Sequence, residues 1–182
     1  MKDKLFIVTG NSLKFREISL KLNEFFDCEQ KTIPEYFEIQ GTQEEILKHK
    51  LLYSFSKFKG NVLVDETSLH FESLNGFPGP YIKYFLKVLS PYDMGKKFIG
   101  DNVSLFCHLG FMKSQSDYLI ISEGIYGTVS DPKIKDPGDK DFDVFFQVLG
   151  MDKPLIDFSE IEKNKFSHRG KALDKLIDKL SK

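Results

Sequence analysis

The side chains able to do chemistry concentrate in three places. Asp65-Glu66-Thr67 closes a short apolar run, Val62-Leu63-Val64. Catalytic groups of open α/β sheets favour the carboxyl ends of strands. Two adjacent carboxylates on an extended chain point to opposite faces, so Asp65 and Glu66 do not share one task. One suits a hard metal ion and the other suits orienting a reactant, while the plain alternative is a polar strand end. The second place is Gly10-Asn11-Ser12, with Lys14 and Arg16 close behind. Cations in the first turn of a helix oppose its macrodipole, unless an anion lies there to neutralise them. A surface turn with solvated Lys and Arg is the competing explanation. The third place is Glu162-Lys163-Asn164-Lys165-Phe166-Ser167-His168-Arg169-Gly170, a dense polar cluster. No GxxxxGK[ST] pattern occurs, so the phosphate loop of ordinary P-loop proteins is excluded.

The elements that position these groups follow from periodicity. Leu5-Phe6-Ile7-Val8 reads as a buried strand, and Phe15, Ile18 and Leu22 then recur at helical spacing. Cys28 to Ile33 reads as a weak second strand, ended by Pro34-Glu35-Tyr36. Thr42 and Glu45 form a capping box that opens a helix with Leu47, Leu51, Phe55 and Phe58 on one face. Gly60 is placed to end it. Lys50 is offset from that face and, taken alone, reads as a solvated lysine.

After a strand at Val62-Val64, Ser68 to Phe71 continues extended. Gly76-Phe77-Pro78-Gly79-Pro80-Tyr81 reads as a rigid loop. Helices are expected over Ile82 to Leu89 and near Tyr92 to Phe98. Strands are expected at Val103 to Leu109, Tyr118 to Ser122 and Ile125 to Val129, as an antiparallel meander. Ser130 to Asp141 reads as a loop, and Phe142 to Leu149 as a strand. Ser167 is an N-cap candidate for a closing helix with Leu173, Leu176, Ile177 and Leu180 on its apolar face.

Composition narrows the classes. A net charge of -1 gives no electrostatic case for nucleic-acid binding. Cys28 and Cys107 are the only cysteines, too few for a zinc site or a disulfide framework, which points to a reducing compartment. The apolar run near the start is too short for a signal peptide, and no stretch reaches the ~20 residues that span a bilayer. A cytoplasmic protein with no membrane partner is expected. The 182 residues suffice for one domain over 1–182, without linkers or repeats.

Taken together and in order, several segments resemble one family. They are Thr9-Gly10-Asn11 with Lys14, Pro34-Glu35-Tyr36, Val62-Leu63-Val64-Asp65-Glu66-Thr67, Gly76-Phe77-Pro78-Gly79-Pro80-Tyr81-Ile82-Lys83, and Glu162-Lys163-Asn164 with Ser167-His168-Arg169. Each motif is weak alone, but five in order over residues 5–180 are specific. The chain resembles the inosine triphosphate pyrophosphatase family, in its eukaryotic-like form.

The resemblance implies an α/β fold, with a long twisted mixed sheet flanked by helices and two lobes around a central cleft. It implies Mg²⁺-dependent hydrolysis of ITP, dITP or XTP to the monophosphate and pyrophosphate, in a homodimer. By the same resemblance, Thr9, Gly10, Asn11, Lys14 and Lys50 bind the triphosphate, and Thr67, Phe142 and Asp143 belong to the substrate-binding set. Glu35 and Glu66 are implied as metal ligands, Glu66 or Asp65 as the group that activates water, and Lys163, His168 and Arg169 as the base-recognition group.

The chain departs from the family pattern twice. Asp65-Glu66 stands where the family has an acidic residue followed by Asp. Lys140-Asp141-Phe142-Asp143-Val144 stands where it has Phe-Gly-aromatic-Asp-Pro, so Lys140 replaces a base-stacking Phe, while Phe142 and Asp143 match. A pyrophosphohydrolase for a different modified nucleotide, and a nucleotide-binding protein that has lost turnover, are the two alternatives. Intact Lys14, Lys50, Glu35 and Glu66 weigh against the second.

Overall fold

The structure is a computed structural model, and it describes residues 2–134 and 141–181. Seven strands form one mixed sheet. They are β1 (Asp3–Val8), β2 (Phe26–Lys31), β3 (Asn61–Phe71), β4 (Pro78–Gly79), β5 (Asn102–Ser114), β6 (Asp117–Val129) and β7 (Phe146–Val148). The strand order is β2-β1-β3-β5-β6-β7, with β4 paired to β3. Six helices accompany it: α1 (Ser12–Leu22), α2 (Gln43–Lys57), α3 (Ile82–Phe85), α4 (Pro91–Lys97), α5 (Glu160–Phe166) and α6 (His168–Leu180). The α/β class with a mixed sheet is therefore as the sequence implies.

The chain divides into two compact units. The first comprises Met1–Glu66, Cys107–Glu123 and Arg169–Lys182; the second comprises Thr67–Phe106 and Gly124–His168. In the first unit, β1 lies parallel to both β2 and β3. Parallel strands need covering on both faces, and two apolar clusters supply it. Ile18 and Leu22 of α1 and Leu173 and Leu176 of α6 pack with Leu5, Ile7 and Leu63. Leu47 and Leu51 of α2 pack with Val8, Val62 and Val64, and Phe55 and Phe58 join them. Gly110 of β5 admits this packing, because a Cβ there would meet Val64 and Leu51 at 3.0 and 3.1 Å. The second unit has its own core, which includes Phe71, Leu105, Phe145 and Phe146.

Several elements differ from the sequence expectation. Val62 to Val64 and Ser68 to Phe71 are parts of one continuous strand, β3, so Asp65 and Glu66 lie inside it rather than at its end. The reason is in the register. β1 pairs with β3 only as far as Val8↔Val64, and there β1 turns away at Gly10 into α1. The two carboxylates thus lie just beyond the carboxyl end of β1. The two runs expected at Tyr118 to Ser122 and Ile125 to Val129 are likewise one strand, β6.

Helix α3 stops at Phe85, and turns carry the chain on to Ser90. Val88 there is exposed, and the helix before Pro91 is disfavoured by that proline. Phe142 to Leu149 splits into a 3₁₀ turn, Phe142–Val144, and the short β7. The Asp141 side chain accepts from Phe142 N at 2.8 Å and starts that turn. An apolar run without clear period does not discriminate strand from turn. Lys140 lies outside the described residues.

Candidate active site

The loop expected from the sequence to bind phosphate joins β1 to α1. Thr9 N donates to the Lys31 carbonyl at 2.9 Å, tying the end of β1 to β2. Asn11 N donates to Thr9 Oγ1 at 3.1 Å. Asn11 is the N-cap of α1, its Oδ1 accepting from Leu13 N at 2.9 Å and Lys14 N at 3.2 Å. Asn11 thus fixes the first turn of the helix, and with it the direction in which Lys14 leaves the backbone. Gly10 is exposed, and a Cβ there would meet nothing within 4 Å.

Residue 65 is the hub of the first unit's polar interior. Lys14 Nζ lies 2.5 Å from Asp65 Oδ1, and Arg169 Nε donates to Asp65 Oδ2 at 2.9 Å. Arg169 Nη1 also pairs with Glu17. The Cys107 thiol donates to Asp65 Oδ2 at 3.2 Å. Asp65, Glu17, Arg169 and Cys107 are all buried. Burial opposes the Asp65 charge, yet Arg169 and Lys14 outweigh it and hold the carboxyl well below the ordinary value. Burial and the adjacent Asp65 charge push the Cys107 thiol well up, so it stays protonated. Burial works against the charge on Arg169, but Asp65 and Glu17 keep it firmly cationic.

Glu66 faces a different partner, as alternation along β3 requires. Lys50 Nζ donates to Glu66 Oε1 at 2.5 Å and to the Asp65 carbonyl at 3.3 Å. The Lys50 and Glu66 side chains are 16% and 18% exposed, enough for contact with solvent, whereas that of Asp65 is 0% exposed. Lys50 is carried by α2, whose start is fixed by the expected capping box: Thr42 N donates to Glu45 Oε2 at 2.8 Å and Glu45 N to Thr42 Oγ1 at 3.3 Å. Gly60, with φ +132°, lies three residues beyond the end of α2.

Glu35 is exposed and lies 3.6 Å from Lys57. Its neighbour Tyr36 hydrogen-bonds His49 Nδ1 at 3.2 Å, and burial together with the charge of Glu66 raises its phenol. No group of three or more His, Cys, Asp and Glu side chains is placed to hold a metal among the described residues. Carboxylate oxygens are the donor type a hard cation takes, and Glu35 and Glu66 are donors of that type.

In the second unit, Lys163 of α5 pairs with Asp143 at 2.5 Å. Phe142 is 8% exposed and belongs to the apolar core of that unit. Thr67 and His168 are buried. A separate cavity of about 530 Å³, lined in part by His70, Glu72, Asn102, Tyr126 and Leu149, contains none of the sequence-predicted residues.

Two partners and one helix escaped the sequence reading. Cys107 and Glu17 are placed at the hub by tertiary packing, and nothing local marks them. Helix α5 was legible in principle: Ser159 and Glu162 form a second capping box, with Ser159 N donating to Glu162 Oε2 at 2.8 Å and Glu162 N to Ser159 Oγ at 3.2 Å.

Residues 5–179 match the family described as the Ham1 family. The chain belongs to the Ham1 family. Among relatives of this Ham1 chain, the inosine triphosphate pyrophosphatase of Emericella nidulans is 34% identical, over 96% of this chain and 97% of that protein. The inosine triphosphate pyrophosphatase of Chaetomium globosum is 33% identical, over 96% and 91%. The solved structure of a HAM1 protein from Coxiella burnetii superposes with a TM-score of 0.81 at 21% identity, covering 100% of this chain and 99% of that one. The Staphylococcus aureus Ham1 protein gives 0.71 at 20% identity, covering 98% of each chain. These structures carry the Ham1 fold to this chain at low identity, while the fungal relatives carry the sequence relationship.

Proposed function

We propose that this Ham1 protein is a pyrophosphohydrolase that cleaves non-canonical purine nucleoside triphosphates, ITP, dITP and XTP, into the monophosphate and pyrophosphate. The observation that carries the reading is the pair of lysines held by one residue: Lys14 on the Asp65 carboxylate and Lys50 on the Asp65 carbonyl. Lys14 projects from the capped first turn of α1, and Lys50 also touches Glu66. Two cations so placed suit an anion of high charge density, to which charge-assisted contacts form. The names of the fungal relatives support the nucleotide class.

Glu66 is the group that orients or deprotonates the attacking water. Asp65 is a poor candidate for that task. It is sealed from solvent and held ionised by Arg169 and Lys14, and a carboxylate stabilised that strongly makes a weak base. Its task is to position the cations.

Glu66 and Glu35 are the carboxylates that would hold Mg²⁺ together with substrate phosphates. When bound, the ion supplies charge stabilisation at the phosphoryl oxygens. Lys163 and His168, with Arg169, are assigned to purine recognition, in which donors facing O6 favour hypoxanthine and xanthine over adenine. Two nitrogens of Arg169 serve Asp65 and Glu17, so Arg169 also anchors the polar interior of the first unit.

The same reading takes the protein as a single domain and a cytoplasmic homodimer. Two free cysteines suit a reducing compartment, and no helix among the described residues is long and apolar enough to cross a membrane. The test is pyrophosphate release from ITP with and without Mg²⁺. Release that requires the ion is expected, and full release in EDTA would reject the metal assignment.

A further inference from the structure

We propose that Cys107 is a positioning residue for the phosphate-binding lysines. The inference rests on reading Lys14 and Lys50 as those lysines. Asp65 serves both of them, the carboxylate taking Lys14 at 2.5 Å and the backbone carbonyl taking Lys50 at 3.3 Å. Rotation of the Asp65 side chain moves the partner of Lys14 directly, and a shift of the residue 65 backbone moves one of the two contacts of Lys50, whose other is Glu66. The carboxylate must be satisfied in a site sealed from water, and an ionised carboxylate has about four acceptor positions to fill. Lys14 meets Oδ1 as an ion pair, while Arg169 Nε and the Cys107 thiol donate hydrogen bonds to Oδ2.

Charge balance explains why a thiol suits this place. Glu17 and Asp65 contribute two negative charges, Lys14 and Arg169 two positive ones. A third cation would leave the buried group unbalanced, and a third carboxylate would add repulsion. A neutral donor completes Asp65 without changing the sum. Cys107 comes from β5, a strand flanked by Leu105 and Leu109 on the same side, both buried, so its Cβ is anchored in packed surroundings. The thiol donates at an ordinary sulfur distance and, being pushed up by burial and by Asp65, remains a donor through the working pH range.

The role differs from packing alone, and the difference is measurable. Cys107→Ala removes donor and volume. Cys107→Val removes the donor while keeping the site filled, and Cys107→Ser keeps a neutral donor. KM and kcat for ITP are measured with each, beside thermal unfolding. The expected result is a KM raised about 10-fold in both the Ala and Val variants, the scale on which a hydrogen bond to a charged group matters, with Ser within about 2-fold of the parent. An unchanged KM in the Val variant, whatever its melting temperature, would overturn the proposal. So would a Ser variant as impaired as the Val variant. Lys14→Ala and Lys50→Ala run alongside as controls. If they leave KM unchanged, the phosphate reading itself fails. If they raise it and Cys107→Val does not, only the role of Cys107 fails.

Discussion

At the scale of single residues, the adjacent carboxylates are separated by environment rather than by chemistry. Asp65 is enclosed by two cations and a thiol, while Glu66 meets Lys50 near solvent. Glu66→Gln keeps the shape and should slow turnover by ~10²-fold or more while nucleotide still binds, as loss of a general base does. Asp65→Asn should act differently, raising KM and lowering stability by about 3–5 kcal/mol, because it leaves buried charges without their partner. Slow turnover with intact KM in Asp65→Asn, beside an active Glu66→Gln, would reverse the assignment. The acid behaviour follows from the same pairing. The folded Asp65 carboxyl titrates well below its unfolded value, since Arg169 and Lys14 prevail over burial. Its contribution is therefore fully present above about pH 4 and is lost as pH falls from there toward the folded pKa. Melting temperatures from pH 7 down to acid should drop below about pH 4 in the parent. They should drop less over that range in Asp65→Asn, which starts lower. Parallel acid losses in the two proteins would contradict this.

At the scale of elements, legibility in the sequence tracked how local the determining interaction is. The capping box at Thr42 and Glu45, the apolar faces of α2 and α6 and the turn after β1 are all set within a few residues, and each is found where expected. The length of β3 was not legible, because it depends on where β1 stops pairing, a register between distant segments. Phe142 was expected as a strand residue and lies in a 3₁₀ turn, since its apolar run carries no period to read. The site divided in the same way. Lys14, Lys50, Asp65, Glu66 and Arg169 were recognisable by type and order. That Asp65 gathers Lys14, Arg169 and Cys107, and that Glu17 backs Arg169, was not, since these partners lie up to 152 residues apart in the chain. Local control also makes a prediction. Thr42→Ala removes the side-chain cap of the helix that carries Lys50 and should cost about 1 kcal/mol of stability. A melting temperature equal to the parent's would show that the box does not hold α2.

At the scale of the whole molecule, two compact units are built on strands that belong to one sheet, and each unit has its own apolar core. The first unit carries the two lysines and Glu66, and the second carries Asp143 paired with Lys163. On the proposed reading, changes at Lys14, Lys50 or Glu66 should affect all nucleotides alike, whereas changes at Lys163 or His168 should alter their ranking. The measurement that tests the central claim most directly is product analysis of ITP hydrolysis beside GTP and ATP. The account predicts IMP and pyrophosphate from ITP, with GTP turned over more slowly and ATP slowest, because adenine presents a donor where the site presents donors. Release of IDP and inorganic phosphate, or ATP cleaved as fast as ITP, would contradict it.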